Sequence, residues 1–490
     1  MALLLLLLFI ISYCATAFEI TLTLPLSKSD ELEDSFWTIS NPESERYGKF
    51  MSLSDLAAEH GASEKHIQGA FDYLIASGAH FTSISGLNDS VTGIFDETEH
   101  GLELSQAGHP TDMPEFVLFS VRRDYAVVSS TASAATVADN DLREYTVKNI
   151  KEAYNMPIDL TATNPATSVM TWGPGTFGYS KAELKRFKLT QAPLINMDKV
   201  VFDTENHGES GGDNFGEGQL DVDMLSAFAL NATVLVSNTN TSASTEETKG
   251  FGAALLDFLT SLAARETVPH VLSMSLGSLS AASCDLLCDA AVDGGYSQQD
   301  CENYLVTQRQ VCMFLSQDQT DRINTALQVL GTRGVTVLGA SGDGGSHFSF
   351  GAFESDGGIG DILNQASCAN QMPVFPTASP YILSIGGEMW RDGNSKHPIT
   401  WAGYGGGSGG GFSIQFEAPE HQKDVVAEYL EKPGMPPSSG FNAKNRAYPD
   451  MAAVGVDGTS QSCPIAAGML AMIVDQVRGK RLPTENFDII

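Results

Sequence analysis

From about residue 142 one pattern repeats: a short apolar run, then an amphipathic stretch of helical period. The runs are "KVVF" (199–202), "ATVLV" (232–236), "HVLSMSLG" (270–277), "GVTVLGASG" (334–342) and "YILSIGG" (381–387). Between them lie "QLDVDMLSAFAL" (219–230), "AALLDFLTSLAAR" (253–265) and "DRINTALQVLGTRG" (321–334). Apolar runs of this length, separated by helices, form a mostly parallel sheet covered on both faces. In such sheets the chemistry gathers where strands end. The fold class read from the pattern is therefore α/β. Before it, residues 18–128 carry mixed periodicity, with helix-like "EKHIQGAFDYLIAS" (64–77) and strand-like "FVLFSV" (116–121), and read as an earlier unit. The stretch 129–141, "SSTASAATVADND", lacks bulky apolar residues and reads as an exposed linker open to proteolysis.

The ends and totals narrow the setting. Residues 1–17 are an apolar run closed by Ala15-Thr16-Ala17, the form of a signal peptide rather than a membrane anchor. The expectation is a protein of the secretory route with no membrane anchor. Sequons at Asn88, Asn231 and Asn240 accord with that route. Cys284, Cys288, Cys301 and Cys312 cluster without matching histidines, which favours local disulfides over a metal site, although spacing leaves the pairing open. A formal net charge of −32 excludes general affinity for nucleic acid. Carboxylates titrate near ~4, so much of that repulsion would vanish in an acidic compartment.

Four short stretches offer candidate chemistry, the last of them weakly. Ser460, in "VDGTSQSCPIAAG" (456–468), directly precedes an apolar helix whose first turn is expected to hold Pro464. A serine there can be a nucleophile with helix amides beside it, or simply a cap. Glu217 and Asp221, four apart on an amphipathic helix, share one face and can hold one proton between them. In acid such a pair serves as base where imidazole would be protonated. Asp343, in "GASGDGGS" (339–346), follows a strand and could donate to an oxyanion if kept neutral, or be a turn aspartate. "HGESGG" (207–212) offers His207 and Ser210 in a G-x-S-x-G pattern. The polar loop after it lacks the strand and helix that a nucleophile elbow needs, so an esterase reading is weak.

Taken together, Glu-x-x-x-Asp, then Ser-Gly-Asp, then Gly-Thr-Ser-x-Ser-x-Pro resemble the sedolisin family of serine-carboxyl peptidases. "NPESERYGKFMSLSDLA" (41–57), "FPTASPYILSIGG" (375–387), "GGGFS" (409–413) and "RAYPDMAA" (446–453) resemble that family's landmarks, and the likeness spans nearly the whole chain after residue 17. It implies a subtilisin-like parallel-sheet catalytic domain over 142–490, preceded by an inhibitory α+β pro-domain of ferredoxin-like type over 18–128. The processing region would then lie at 129–141. It implies Ser460 as nucleophile, Glu217 as base, Asp221 as the acid orienting Glu217, and Asp343 as oxyanion donor. Ser273, Ser275 and Gly277 in "SMSLG" would border the substrate. It also implies Ca²⁺, with Asp488 and Ile489 matching the first half of the family's site and no later loop to complete it. Peptide or protein substrates are expected, with release of tripeptides or internal cleavage in a lysosome, acidic vacuole or outside the cell. The segment between Ala453 and Gly458 is shorter than in the family, and Gln461 and Cys463 replace small residues. The alternative is thus a catalytically impaired, secreted pseudo-peptidase that binds peptides.

Overall fold

The computed structural model describes residues 17–96, 101–104, 110–124, 145–175, 177–203, 216–239, 251–308, 311–313, 315–346, 353, 357–391, 395–403, 406–432 and 440–480. The signal segment, the linker, His207, Ser210, Asp488 and Ile489 lie outside these residues, save for Ala17.

The N-terminal unit is a four-stranded antiparallel sheet. Its order is Phe81–Ile84, Ser90–Asp96, Ala17–Thr23, Phe119–Asp124, with the first and last strands in sequence adjacent. That order, with helices Ser29–Ser40, Leu53–His60 and Glu64–Ala76 in the first crossover, is the split β-α-β arrangement of a ferredoxin-like layer. Ile20, Leu22, Val91 and Phe95 meet Ile67, Ala70 and Leu74 in a small core of its own. The final strand begins at Phe119, three residues later than the apolar run suggested.

The second sheet has eight strands. Seven lie in the order Pro398–Thr400, Leu383–Trp390, Thr336–Ala340, Val271–Met274, Ser168–Pro174, Thr233–Thr239, Val200–Phe202, and Met451–Val454 pairs alongside Leu383–Trp390. Every pairing but that of Pro398–Thr400 is parallel. The central strand Ser168–Pro174 escaped the sequence pattern. Asn164-Pro165 before it and Pro174-Gly175 at its end read as turn residues, and Thr171 interrupts its apolar run.

Strand alternation sorts the two faces. Val169, Val271 and Leu338 join Val222, Leu225, Phe228 and Ile465 on one side. Met170, Trp172, Leu272 and Val337 join Leu255, Leu259, Ile323 and Leu327 on the other. The first side therefore carries helices Gly216–Phe228 and Thr459–Lys480, and the second carries Phe251–Ala263 and Gln317–Thr332. With a period of two, Thr171 and Ser273 must point toward the first pair of helices. The disulfides Cys284–Cys312 and Cys288–Cys301 bind helices Ala281–Asp293 and Gln298–Asn303 into a satellite core.

The N-terminal unit packs on the second face. Leu32, Leu53, Leu56 and Leu87 enter that core, and an imagined Cβ on Gly331 would strike the Phe36 ring. Arg322 of the Gln317–Thr332 helix donates to Asp89 from a nearly dry position, with side chains 6% and 1% exposed. Tyr381 Oη donates to Glu33 Oε1 at 2.6 Å. Among the described residues no helix is long and apolar enough to cross a membrane.

Candidate active site

The segment that delivers Ser460 is a tight, hydrogen-bonded turn. After Met451–Val454, the amide of Gly455 donates to Glu388 O at 2.9 Å and that of Gly458 to Gly455 O at 3.2 Å. Trp401 Nε1 donates to Val456 O at 3.1 Å, and the Asp457 amide to Gln461 Oε1 at 3.3 Å. Gly458 sits at φ +92°, a conformation costly for any residue with a side chain. The four-residue connection is thus short yet built, and Gln461 has a place in it. The helix begins at Thr459, so Pro464 lies inside it rather than in its first turn as the sequence suggested.

Asp343 closes the same turn. It follows strand Thr336–Ala340, and its Oδ1 accepts the Thr459 amide at 2.8 Å and the Thr459 hydroxyl at 2.9 Å. This carboxyl therefore caps the helix that carries Ser460. Its Oδ2 lies over Gly458, only 2.6 Å from where a Cβ would stand. The loop is held by glycines: the Gly407 amide donates to Asp343 O at 2.9 Å and the Gly345 amide to Gly407 O at 2.9 Å.

On helix Gly216–Phe228 the two acids occupy successive turns. Asp221 is 0% exposed. The Thr171 hydroxyl donates to its Oδ2 at 2.6 Å, and the Ser275 hydroxyl to its Oδ1 at 2.7 Å. Glu217 is half-buried, and its Oε1 is sealed from water with no hydrogen-bond partner. Ser460, also half-buried, places Oγ 3.5 Å from Ser275 O and close enough to Glu217 to bear on that carboxyl's ionisation.

The electrostatics follow from burial. Desolvation lifts Asp221 well above the usual carboxylate range and the charge of Glu217 adds to this, while the Thr171 and Ser275 hydroxyls oppose it. Glu217 is raised by desolvation and by the charge of Asp343, against the Ser460 hydroxyl. Asp343 is raised by desolvation despite the two bonds from Thr459. With like-charge repulsion linking Glu217 to both Asp221 and Asp343, and all three raised, the cluster retains protons at a pH where free acids have lost theirs. The arrangement can offer one ionised carboxylate as a base beside a hydroxyl, and neutral carboxyls as donors.

The structure brings Ser460, Glu217, Asp221 and Asp343 to one place. Ser273, Ser275 and Gly277 stand differently from a simple pocket wall. Ser273 is 0% exposed, with Oγ 3.4 Å from Cys463 Sγ beneath the helix. The Ser275 hydroxyl faces Asp221, and the Cβ position of Gly277 is filled by Val374 Cγ1 at 2.5 Å. The two hydroxyls are thus engaged by the protein itself. Sequence reasoning passed over Thr171 and the Ser275 hydroxyl as partners of Asp221, and Thr459 as partner of Asp343. Strand parity would have shown Thr171 only if its strand had been recognised. As for metals, no cluster of His, Cys, Asp or Glu suited to an ion occurs among the described residues. Asp488 and Ile489 fall outside them, so calcium enters no step below.

Against known proteins, residues 15–99 match the pro-kumamolisin activation domain. Tripeptidyl-peptidase 1 of Bos taurus is 34% identical over 188 residues, 35% of this chain and 30% of that protein. The Homo sapiens protein is 35% identical over 174 residues, 32% of this chain and 28% of the relative. The chain thus spans about a third of the length of these curated relatives. The Rattus norvegicus protein aligns at 25% identity over 504 residues, 93% of this chain and 79% of the relative. Among solved structures, a Pseudomonas sedolisin complexed with pseudo-iodotyrostatin has a TM-score of 0.43 at 18% identity, covering 68% of this chain and 81% of that one.

Proposed function

With the chain taken as a sedolisin-family protein similar to tripeptidyl-peptidase 1, we propose that it is a serine-carboxyl peptidase that hydrolyses peptide bonds through an acyl-enzyme. The observation that carries this is the convergence of one hydroxyl, Ser460, with three carboxyls whose burial raises them together. Ionised Glu217 takes the Ser460 proton as Oγ attacks the scissile carbonyl, and returns it to the leaving amine. Asp221, neutral and held by the Thr171 hydroxyl, orients Glu217. Asp343, protonated, donates to the oxyanion beside the helix N-terminus. Glu217 then takes a proton from water as the water oxygen attacks the acyl carbon, and passes it to Ser460 Oγ as the C–Oγ bond breaks and the acid product leaves. Imidazole is not needed.

Acid is the working condition for such a site. Asp343 and Asp221 serve as donors only while they hold protons, which sets the loss on the alkaline side. Glu217, itself raised to about 7, is a base only in the fraction that has given up its proton, which sets the loss on the acid side. The N-terminal sheet is the inhibitory pro-domain, and processing within 129–141 frees the rest. Two disulfides suit an oxidising secretory route ending in a lysosome-like compartment or outside the cell. Calcium at Asp488 and Ile489 remains an expectation from the resemblance. The non-catalytic alternative is not favoured, because the short connection after Val454 is a bonded turn that carries Ser460 to the acids.

Turnover of amino-blocked and free peptides at about pH 4 by acid-treated protein tests the reading and separates internal cleavage from tripeptide release. Ser460→Ala and Glu217→Gln should each cost on the order of 10⁴-fold or more in kcat. An active Glu217→Gln variant with its maximum at neutral pH would overturn the carboxylate base.

A further inference from the structure

The helix that carries Ser460 has a built-in gap. Pro464 lies four residues beyond Ser460 and has no N–H, so the Ser460 carbonyl lacks its helical donor. Ser275, from the chain just past strand Val271–Met274, stands at that gap. Its Oγ is 3.3 Å from Ser460 O and 2.7 Å from Asp221 Oδ1, and its own carbonyl is 3.5 Å from Ser460 Oγ. One residue therefore meets the nucleophile's peptide, the nucleophile's hydroxyl and the buried acid.

We propose that Ser275 is a positioning residue whose hydroxyl replaces the helix bond forfeited at Pro464 and so locks the Ser460 peptide to the acid pair. The inference rests on the peptidase reading and deepens it. A single hydroxyl proton is shared between Asp221 Oδ1 and Ser460 O, so the seat of the nucleophile and the state of the acid are tied. Ionised Asp221 draws that proton toward itself and loosens the hold on Ser460; neutral Asp221 leaves it for the carbonyl. Besides Ser275, the groups that bear on Asp221 are Glu217 from its own helix, Thr171 from the central strand and Cys463 from the Ser460 helix, with Asp343 beyond Glu217.

The decisive experiment is a double-mutant cycle of Ser275→Ala with Pro464→Ala in the full chain, because alanine restores an N–H to position 464. Thermal unfolding across pH reads it first, which needs no activity, and kcat, KM and the pH profile read it second. Ser275→Ala alone should lower kcat by about 10–100-fold with KM changed less than about threefold. It should also move the alkaline limb upward, since Asp221 loses a donor that favoured its charge. Ser275→Thr should restore most of the rate. With Pro464→Ala, the cost of Ser275→Ala should shrink to within about threefold. Strictly additive effects, or a uniform loss at every pH that threonine does not rescue, would overturn the proposal. If wild-type protein neither turns over peptide nor acylates at Ser460, the peptidase reading fails. The cycle in unfolding then decides this inference alone: coupling upholds it and additivity ends it.

Discussion

Gly458 shows how tightly a single position governs the site. Its φ of +92° and the Asp343 oxygen over its missing Cβ leave no room for a methyl group. Gly458→Ala should therefore cost about 1–3 kcal/mol and displace the Asp343 cap from Thr459. Melting and Ser460 acylation would register the two effects separately. The raised acids make a second prediction. Glu217, Asp221 and Asp343 bind protons in the folded state at a pH where the unfolded chain has released them. So does Asp223, which burial lifts from 3.8 to about 7 against the Gln219 bond. Their stabilisation is complete below the ordinary carboxylate range and is lost as pH rises through their raised pKa values, about 7 for Glu217 and Asp223. Unfolding midpoints should fall across that window, and Asp223→Asn should flatten the fall. A profile rising with pH there would contradict the assignment. The candidates were legible in part: the resemblance singled out Ser460, Glu217, Asp221 and Asp343, whereas Thr171 and Ser275, 50 and 54 positions from Asp221, became visible as its partners only when the sheet set them beside it.

Among the elements, the Thr459–Lys480 helix is clasped at its far end by one carboxylate. Asp475 accepts the Thr163 amide at 2.9 Å and hydroxyl at 3.1 Å, the Asn164 amide at 2.9 Å and the Thr167 hydroxyl at 2.7 Å. Burial pushes Asp475 up, but these donors outweigh it and hold the carboxyl below its usual range. Its stabilisation has the opposite sign, fading as pH falls. Asp475→Ala should cost about 2–4 kcal/mol in denaturant unfolding at neutral pH, because it orphans two amides and two hydroxyls. The strands Val200–Phe202, Thr233–Thr239, Val271–Met274, Thr336–Ala340 and Leu383–Trp390 and both long helices of the second face were read from sequence because they are uniformly apolar or cleanly periodic, whereas Pro398–Thr400 and Met451–Val454 were not. The central strand was not, because its neighbours are turn formers. Pro464 was set one turn too early because the helix starts at Thr459, under the Asp343 cap, rather than after Ser460.

At the scale of the molecule, one buried ion pair ties the N-terminal sheet to the main body. Asp89→Asn would leave Arg322 charged and unmatched in a dry contact, at a cost of about 3–5 kcal/mol. Faster protease entry between the two sheets, with the larger core still folded, would be the signature. A single cooperative transition shifted as a whole would show instead that the units do not separate. The order of the pieces along the chain has its own consequence. The helix that carries Ser460 packs across the middle of the eight-stranded sheet, so ribosomes complete Glu217 and Asp221 about 240 positions before Ser460. On the proposed mechanism a nascent chain holds Glu217 and Asp221 without the hydroxyl they would activate until the Thr459–Lys480 helix docks.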